Sequence, residues 1–175
     1  MNAMPAAYRK IVEPLIETAR GIVERGESLS HMAFIGNLST GETQIVPMVM
    51  PTDEAKDETA ILLRHLAHLL QADFVFVIMD AWTLPRGKVD RYREIIAEYG
   101  SIGASPHRID AVAFNLETRH GMWSAQVPLT LKGASKRRKT FGVPEFQLFD
   151  GVEGRFANLL PVKEADDQAA AGRLH

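Results

Sequence analysis

Residues 74–82 read Phe-Val-Phe-Val-Ile-Met-Asp-Ala-Trp, and no other stretch of the chain limits its fold so closely. A β-strand points successive side chains to opposite faces. Phe74, Phe76 and Ile78 therefore share one face, and Val75, Val77 and Met79 share the other. Both faces are apolar and both need cover, which predicts a strand at the centre of a sheet.

The segments around it supply the cover. Ile11, Val12, Leu15, Ile16, Ala19, Ile22 and Val23 recur at helical spacing and predict an amphipathic helix ending near Gly26. Pro14 falls inside that stripe, as the start of the regular helix or as a kink. Thr52 caps a second predicted helix, with Asp53 and Glu54 in its first turn, where the helix dipole favours negative charge. This helix runs to about Gln71. Ala60, Ile61, Leu62, Leu63, Leu66, Leu69 and Leu70 cover most of its circumference, and Asp57, Arg64, His65, His68 and Gln71 leave only a narrow polar strip. The pattern predicts a largely buried helix. After the break at Pro85-Arg86-Gly87, the residues Val89, Tyr92, Ile95, Ile96 and Tyr99 mark a short third helix.

The remaining segments read as strands. Residues 32–35 and 43–50 form a predicted hairpin about the turn cluster 37–41, and Pro47 sends the second strand to an edge or to a bulged position. Residues 108–118 and 122–131 form another, with a two- or four-residue loop at Arg119-His120. In the register that keeps one face apolar, Val112 faces Val127, Phe114 faces Ala125 and Leu116 faces Trp123. A one-residue slip would set Phe114 opposite Gln126 and turn a whole side-chain set to the wrong face. Residues 141–149 are the last predicted strand, followed at 152–160 by a short helix or irregular cap.

The order α-β-β-α-β-α-β-β-β predicts an α+β fold. We expect a single domain over residues 1–162, with two to three helices packed on a mostly antiparallel or mixed sheet of about six strands. Residues 163–175 are rich in Ala and Asp without an apolar period and are expected to form a flexible tail. A length of 175 residues suits one domain with a sizeable core. The chain has no cysteine, which excludes disulfides, thiolate metal sites and cysteine catalysis. The longest clean apolar run, residues 74–79, is far short of the roughly 20 residues that cross a bilayer. The first residues carry no apolar core of a secretory signal. The expectation is a cytoplasmic protein with no membrane attachment.

Function is harder to read. The most localised feature is residues 132–139, where Lys132, Lys136, Arg137, Arg138 and Lys139 place five positive charges in eight residues. The formal net charge is −2, so the chain without these five stands at −7. A flexible basic loop of this kind neutralises phosphates, although a solvated hairpin tip carries the same composition. The acidic remainder disfavours a long face for duplex nucleic acid. A second basic group, Arg86, Lys88, Arg91 and Arg93, lies close in sequence to Trp82 and Tyr92. Cations beside aromatics suit single-stranded nucleic acid, but Asp90 and Glu94 are interleaved and can pair with them.

Asp80 ends the central strand, a common place for an acid/base group or a metal ligand. His107 or Asp110 is the residue a neighbouring strand would bring to it. Asp110 followed by Glu117-Thr118-Arg119 loosely resembles the pattern of a metal-dependent nuclease. On one continuous strand, however, the two carboxylates lie about 23 Å apart and point to opposite faces. His65 and His68 are three apart on a helix, which gives only two ligands beside a repelling Arg64. No nucleophile elbow, phosphate loop, dinucleotide fingerprint or zinc-protease motif is present, so no cofactor and no metal is indicated.

Three functions follow as expectations. The first is a non-enzymatic binding or regulatory module that meets nucleic acid or another anionic partner through Lys132, Lys136, Arg137, Arg138 and Lys139, with Trp82 and Arg86 as auxiliary contacts. The second is a hydrolase, metal-dependent in one version, centred on Asp80 with His107 or Asp110. The third is an assembly protein that forms homo-oligomers through the adaptable run Pro47-Met48-Val49-Met50.

Overall fold

The computed structural model describes residues 3–162, so the predicted tail at 163–175 lies outside the described residues. The elements are α1 (Ala6–Glu24), β1 (Met32–Gly36), β2 (Thr43–Pro47), α2 (Asp53–Leu70), β3 (Phe74–Thr83), a 3-10 turn (Arg86–Arg91), α3 (Tyr92–Tyr99), β4 (Ile109–Thr118), β5 (Gly121–Leu131), β6 (Lys139–Phe141) and β7 (Gln147–Phe149). The fold is α+β, with three helices and an antiparallel sheet ordered β2-β1-β3-β4-β5-β6. β7 pairs with β5 off this path. β3 lies between β1 and β4, and its residues 74–78 are buried on both faces, as the apolar alternation requires.

β4 and β5 are joined by Arg119-His120 alone. Ser124 Oγ donates to Asn115 Oδ1 at 2.6 Å, the pair that the predicted register places opposite one another. Val112, Phe114, Leu116, Trp123, Ala125 and Val127 are all buried, so that face is the inward one.

Local differences have physical causes. The first helix begins at Ala6 and passes through Pro14, because Tyr8 and Val12 on its N-terminal turns are buried and hold the extra length in place. β2 stops at Pro47, which cannot donate to a ladder. It sits at the sheet edge with Met32 opposite Pro47 and Gly36 opposite Thr43. The strand expected over 141–149 is two short strands, β6 and β7, interrupted across Gly142-Val143-Pro144, where proline removes the donor a continuous strand needs. Residues 152–160 are irregular. The run proposed as a contact surface is split: Met48 is core, whereas Val49 is 76% exposed. α2 departs most from expectation. It buries only Ala60, Leu63 and Ala67, and Ile61, Leu62 and Leu69 face solvent.

The chain divides into two compact units. Within the described residues, the first comprises 3–31, 78–115 and 124–147, and the second 32–77, 116–123 and 148–162. In the first, the buried stripe of α1 (Tyr8, Val12, Ile16, Ala19 and Val23) joins Val112, Phe114, Val127 and Phe141 in the core. Arg20 fastens α1 to β6: its Nε donates to the Phe141 carbonyl at 3.1 Å, and its guanidinium lies 4.7 Å from the Phe141 ring. In the second, Phe34 and Phe76 rings meet at 6.3 Å. Gly36 packs flat on Phe74, where a Cβ would run into the ring.

The turn at 37–41 in the second unit is structural. The buried Asn37 donates through Nδ2 to the Leu70 and Gln71 carbonyls at 3.1 and 2.9 Å. Its Oδ1 accepts from the backbone of Ser39 and Thr40 at 2.8 and 3.1 Å. One side chain thus closes the hairpin and caps the end of α2.

Candidate binding cleft

Within the first unit, the end of α1, the loop after it, and the ends of β3, β4, β5 and β6 border a cleft of about 700 Å³. Val23, Leu29, Ala81, Ala111 and Leu129 supply apolar wall, and Trp82 is half exposed at its edge. The charged lining is Glu27, His31, Asp80, Asp110, Arg137 and Lys139. Asp80, Asp110, Trp82, Arg137 and Lys139, separately marked in the sequence, thus share one site. His31 is an addition that sequence reading missed; it lies far from the others in the chain and carries no motif.

The sheet explains how Asp80 and Asp110 converge. β3 leaves the core at Met79, so Asp80 is the first solvent-facing residue of a buried strand. Asp110 stands near the start of the neighbouring β4. Burial of part of the Asp80 carboxyl pushes its pKa up, Asp110 pushes the same way, and His31 opposes both. His31 Nε2 stands 3.8 Å from Asp80 Oδ2. Lys139 Nζ donates to Asp110 Oδ2 at 3.2 Å, which neutralises the second carboxylate locally.

The basic segment is the loop of the β5–β6 hairpin, whose last ladder pair is Leu131 with Lys139. It is ordered by its own backbone. Lys132 N donates to the Arg138 carbonyl at 2.8 Å, and Ser135 Oγ accepts from the backbone of Arg137 and Arg138 at 3.3 and 2.9 Å. Gly133 takes φ +55°, which suits glycine in so tight a loop.

The five cations divide. Lys132 Nζ donates to Glu24 Oε2 at 2.6 Å, and Thr140 Oγ1 donates to Glu24 Oε1 at 2.9 Å. The Lys132 hydrogen bond, with that from Thr140, holds the Glu24 carboxyl below the usual range. Lys139 is bound to Asp110. Among the described residues, no carboxylate pairs with Lys136, Arg137 or Arg138, and all three are exposed.

Other candidates fall elsewhere. His107 meets the Tyr99 ring edge-on at 6.2 Å and does not line the cleft. Arg86 is exposed in the 3-10 turn and also lies outside the lining. In the second basic group, Arg91 is paired with Glu94 at 3.0 Å. The cation that meets Trp82 is Arg108, whose guanidinium lies 4.9 Å from the indole. Gly103 lets the backbone approach the same ring; a Cβ there would fall 2.6 Å from indole Cε3.

β4 runs unbroken from Asp110 to Glu117, so the nuclease-like pattern does not form one site. Glu117 lies in the second unit beside a smaller pocket of about 280 Å³. Both its oxygens accept from Leu159 N at 2.9 Å. Burial pushes its pKa up, against backbone N–H groups of residues 158–160 and the Arg64 charge, which favour the carboxylate. Its evident role is to anchor the irregular segment after β7. His65 and His68 are exposed on α2.

Among the described residues, no three His, Asp or Glu side chains are grouped to hold a metal ion, and no helix is long and apolar enough to cross a membrane. No known protein family, curated protein or solved structure matches the chain.

Proposed function

We propose that this protein is a binding module that receives a phosphate-bearing partner on its basic loop, with single-stranded nucleic acid the form that best suits the surroundings. One observation carries the reading: among the described residues no carboxylate pairs with Lys136, Arg137 or Arg138, although the loop beneath them is closed by its own hydrogen bonds. A solvated tip does not need that order. Cations held ready on a fixed backbone lose less entropy when a phosphate arrives.

The cleft extends the reading. Arg137 lines it together with Trp82, so a phosphate on the loop and a base against the indole belong to one ligand. Its acidic wall is partly offset, because Lys139 pairs with Asp110 and His31 stands beside Asp80. The test is fluorescence anisotropy with labelled single- and double-stranded DNA and RNA, comparing wild type with the triple variant Lys136→Ala, Arg137→Ala, Arg138→Ala. Binding by wild type that is lost in the variant supports the proposal. Equal behaviour of the two proteins refutes it.

A hydrolase reading keeps one specific observation, the approach of His31 to Asp80 with Asp110 in the same cleft. In that reading Asp80 takes a proton from water as the hydroxide attacks the ester, His31 stands beside the carboxylate, and His107 has no part. Hydrolysis of generic phosphate esters that vanishes in Asp80→Asn would favour it over simple binding.

A further inference from the structure

The solvent face of α2 carries a feature that anion binding does not use. Glu54, Glu58, Ile61, His65 and Leu69 follow one another at spacings of four, three, four and four, so they line one side of the helix. Leu62 flanks the row. Ile61 is 65% exposed, Leu62 46% and Leu69 68%, and the core side chains Ala60, Leu63 and Ala67 project from the opposite side. The stripe extends for about 22 Å at 1.5 Å per residue. Its polar groups are ordered: Glu54 and Glu58 occupy the N-terminal half and His65 the C-terminal half. Neither Glu54, Glu58 nor His65 is in an ion pair within the described residues. The nearby Asp53 and Asp57 differ, since Arg155 engages both.

We infer that this stripe is the contact between two copies of the protein, packed with their α2 helices antiparallel about a two-fold axis between Ile61 and Leu62. In that arrangement the centre of the stripe is complementary to itself, and Leu69 of each copy lies beside Glu54 of its mate. Ile61 of one copy meets Leu62 of the other, and Glu58 of each faces His65 of its mate, giving two equivalent polar contacts around an apolar centre. A parallel pairing would set Glu58 against Glu58. One helix stripe buries less than the roughly 800 Å² per partner of a standard interface, so the dimer dissociates on dilution.

Sedimentation equilibrium of the full chain, from low to high micromolar concentration, tests this. Wild type is expected to shift from monomer to dimer. Ile61→Glu with Leu69→Glu should weaken the dimer more than about tenfold while leaving the far-ultraviolet circular dichroism unchanged. Glu58→Lys and His65→Glu should each weaken it, and the double substitution should recover it, because a lysine and a glutamate then face each other across the contact. Residues 58 and 65 are two turns apart within one helix, so the recovery reads a contact between copies. A wild type that stays monomeric overturns the proposal, and the stripe then awaits a different partner. A dimer indifferent to the Ile61 and Leu69 substitutions overturns it too, and failure of the double substitution to recover rules out the antiparallel arrangement.

Discussion

Lys139 and Asp110 meet at 3.2 Å, so one cation of the basic hairpin is bound within its own fold, while Lys136, Arg137 and Arg138 pair with no carboxylate among the described residues. The pair links the hairpin to the acidic wall of the cleft. Changing Asp110→Asn releases Lys139, and affinity for a polyanion should then rise roughly threefold at low salt. Both side chains are about half exposed, so stability should move by less than about 1 kcal/mol. Asp80 should lose its like-charged neighbour and titrate lower, which NMR of its carboxyl carbon would report.

Lys132 provides the internal control. It is already held by Glu24, so Lys132→Ala should change polyanion affinity by less than about twofold, whereas Arg137→Ala should weaken it severalfold. Titrations of the two variants side by side separate cations that are free from cations that are merely close in sequence. The same Lys132 variant should let the Glu24 carboxyl rise toward the ordinary glutamate range.

Asn37→Ala should be among the more damaging polar substitutions. It removes two donors to the end of α2 and the acceptor for two backbone N–H groups, four part-buried hydrogen bonds in all. A loss of roughly 2–4 kcal/mol is expected, read from the urea midpoint. Asn37→Asp should also destabilise, since it places a carboxylate against two carbonyl oxygens.

Glu117 sets a pH dependence. Its pKa is raised in the folded protein, so the native state binds a proton more readily than the unfolded chain. The contribution of Glu117 to stability therefore falls as pH climbs from the ordinary glutamate value, about 4.3, through the raised folded value, and its full cost remains above that. Asp80 acts with the same sign. Urea unfolding across this range should lose part of its slope in Glu117→Gln and a further part in Glu117→Gln with Asp80→Asn. An unchanged slope would contradict the burial assigned to Glu117.

Much of the architecture was legible because alternation carries it. The two apolar faces of residues 74–78 place β3 inside the sheet, and the apolar even positions of β4 select the register in which Asn115 meets Ser124. The solvent face of α2 was not legible, since Ile61 and Leu69 look like core residues to any count of apolar positions. The break between β6 and β7 is marked by Pro144, yet the apolar residues on either side conceal it. The cleft was visible only in fragments. Asp80, Asp110 and the basic loop each stand out alone, but their meeting depends on strand order, and His31 and Arg108 join them through tertiary contacts that leave no local trace.

The most direct test of the central claim is the salt dependence of binding to labelled single-stranded DNA, measured for wild type and for the triple variant at Lys136, Arg137 and Arg138. If these cations contact phosphates, log affinity falls linearly with log salt, and the variant loses about 2 from the magnitude of a slope that scales as roughly 0.7 per neutralised phosphate. A wild type that binds nothing at low salt, or a variant with the same affinity and slope, would contradict the account.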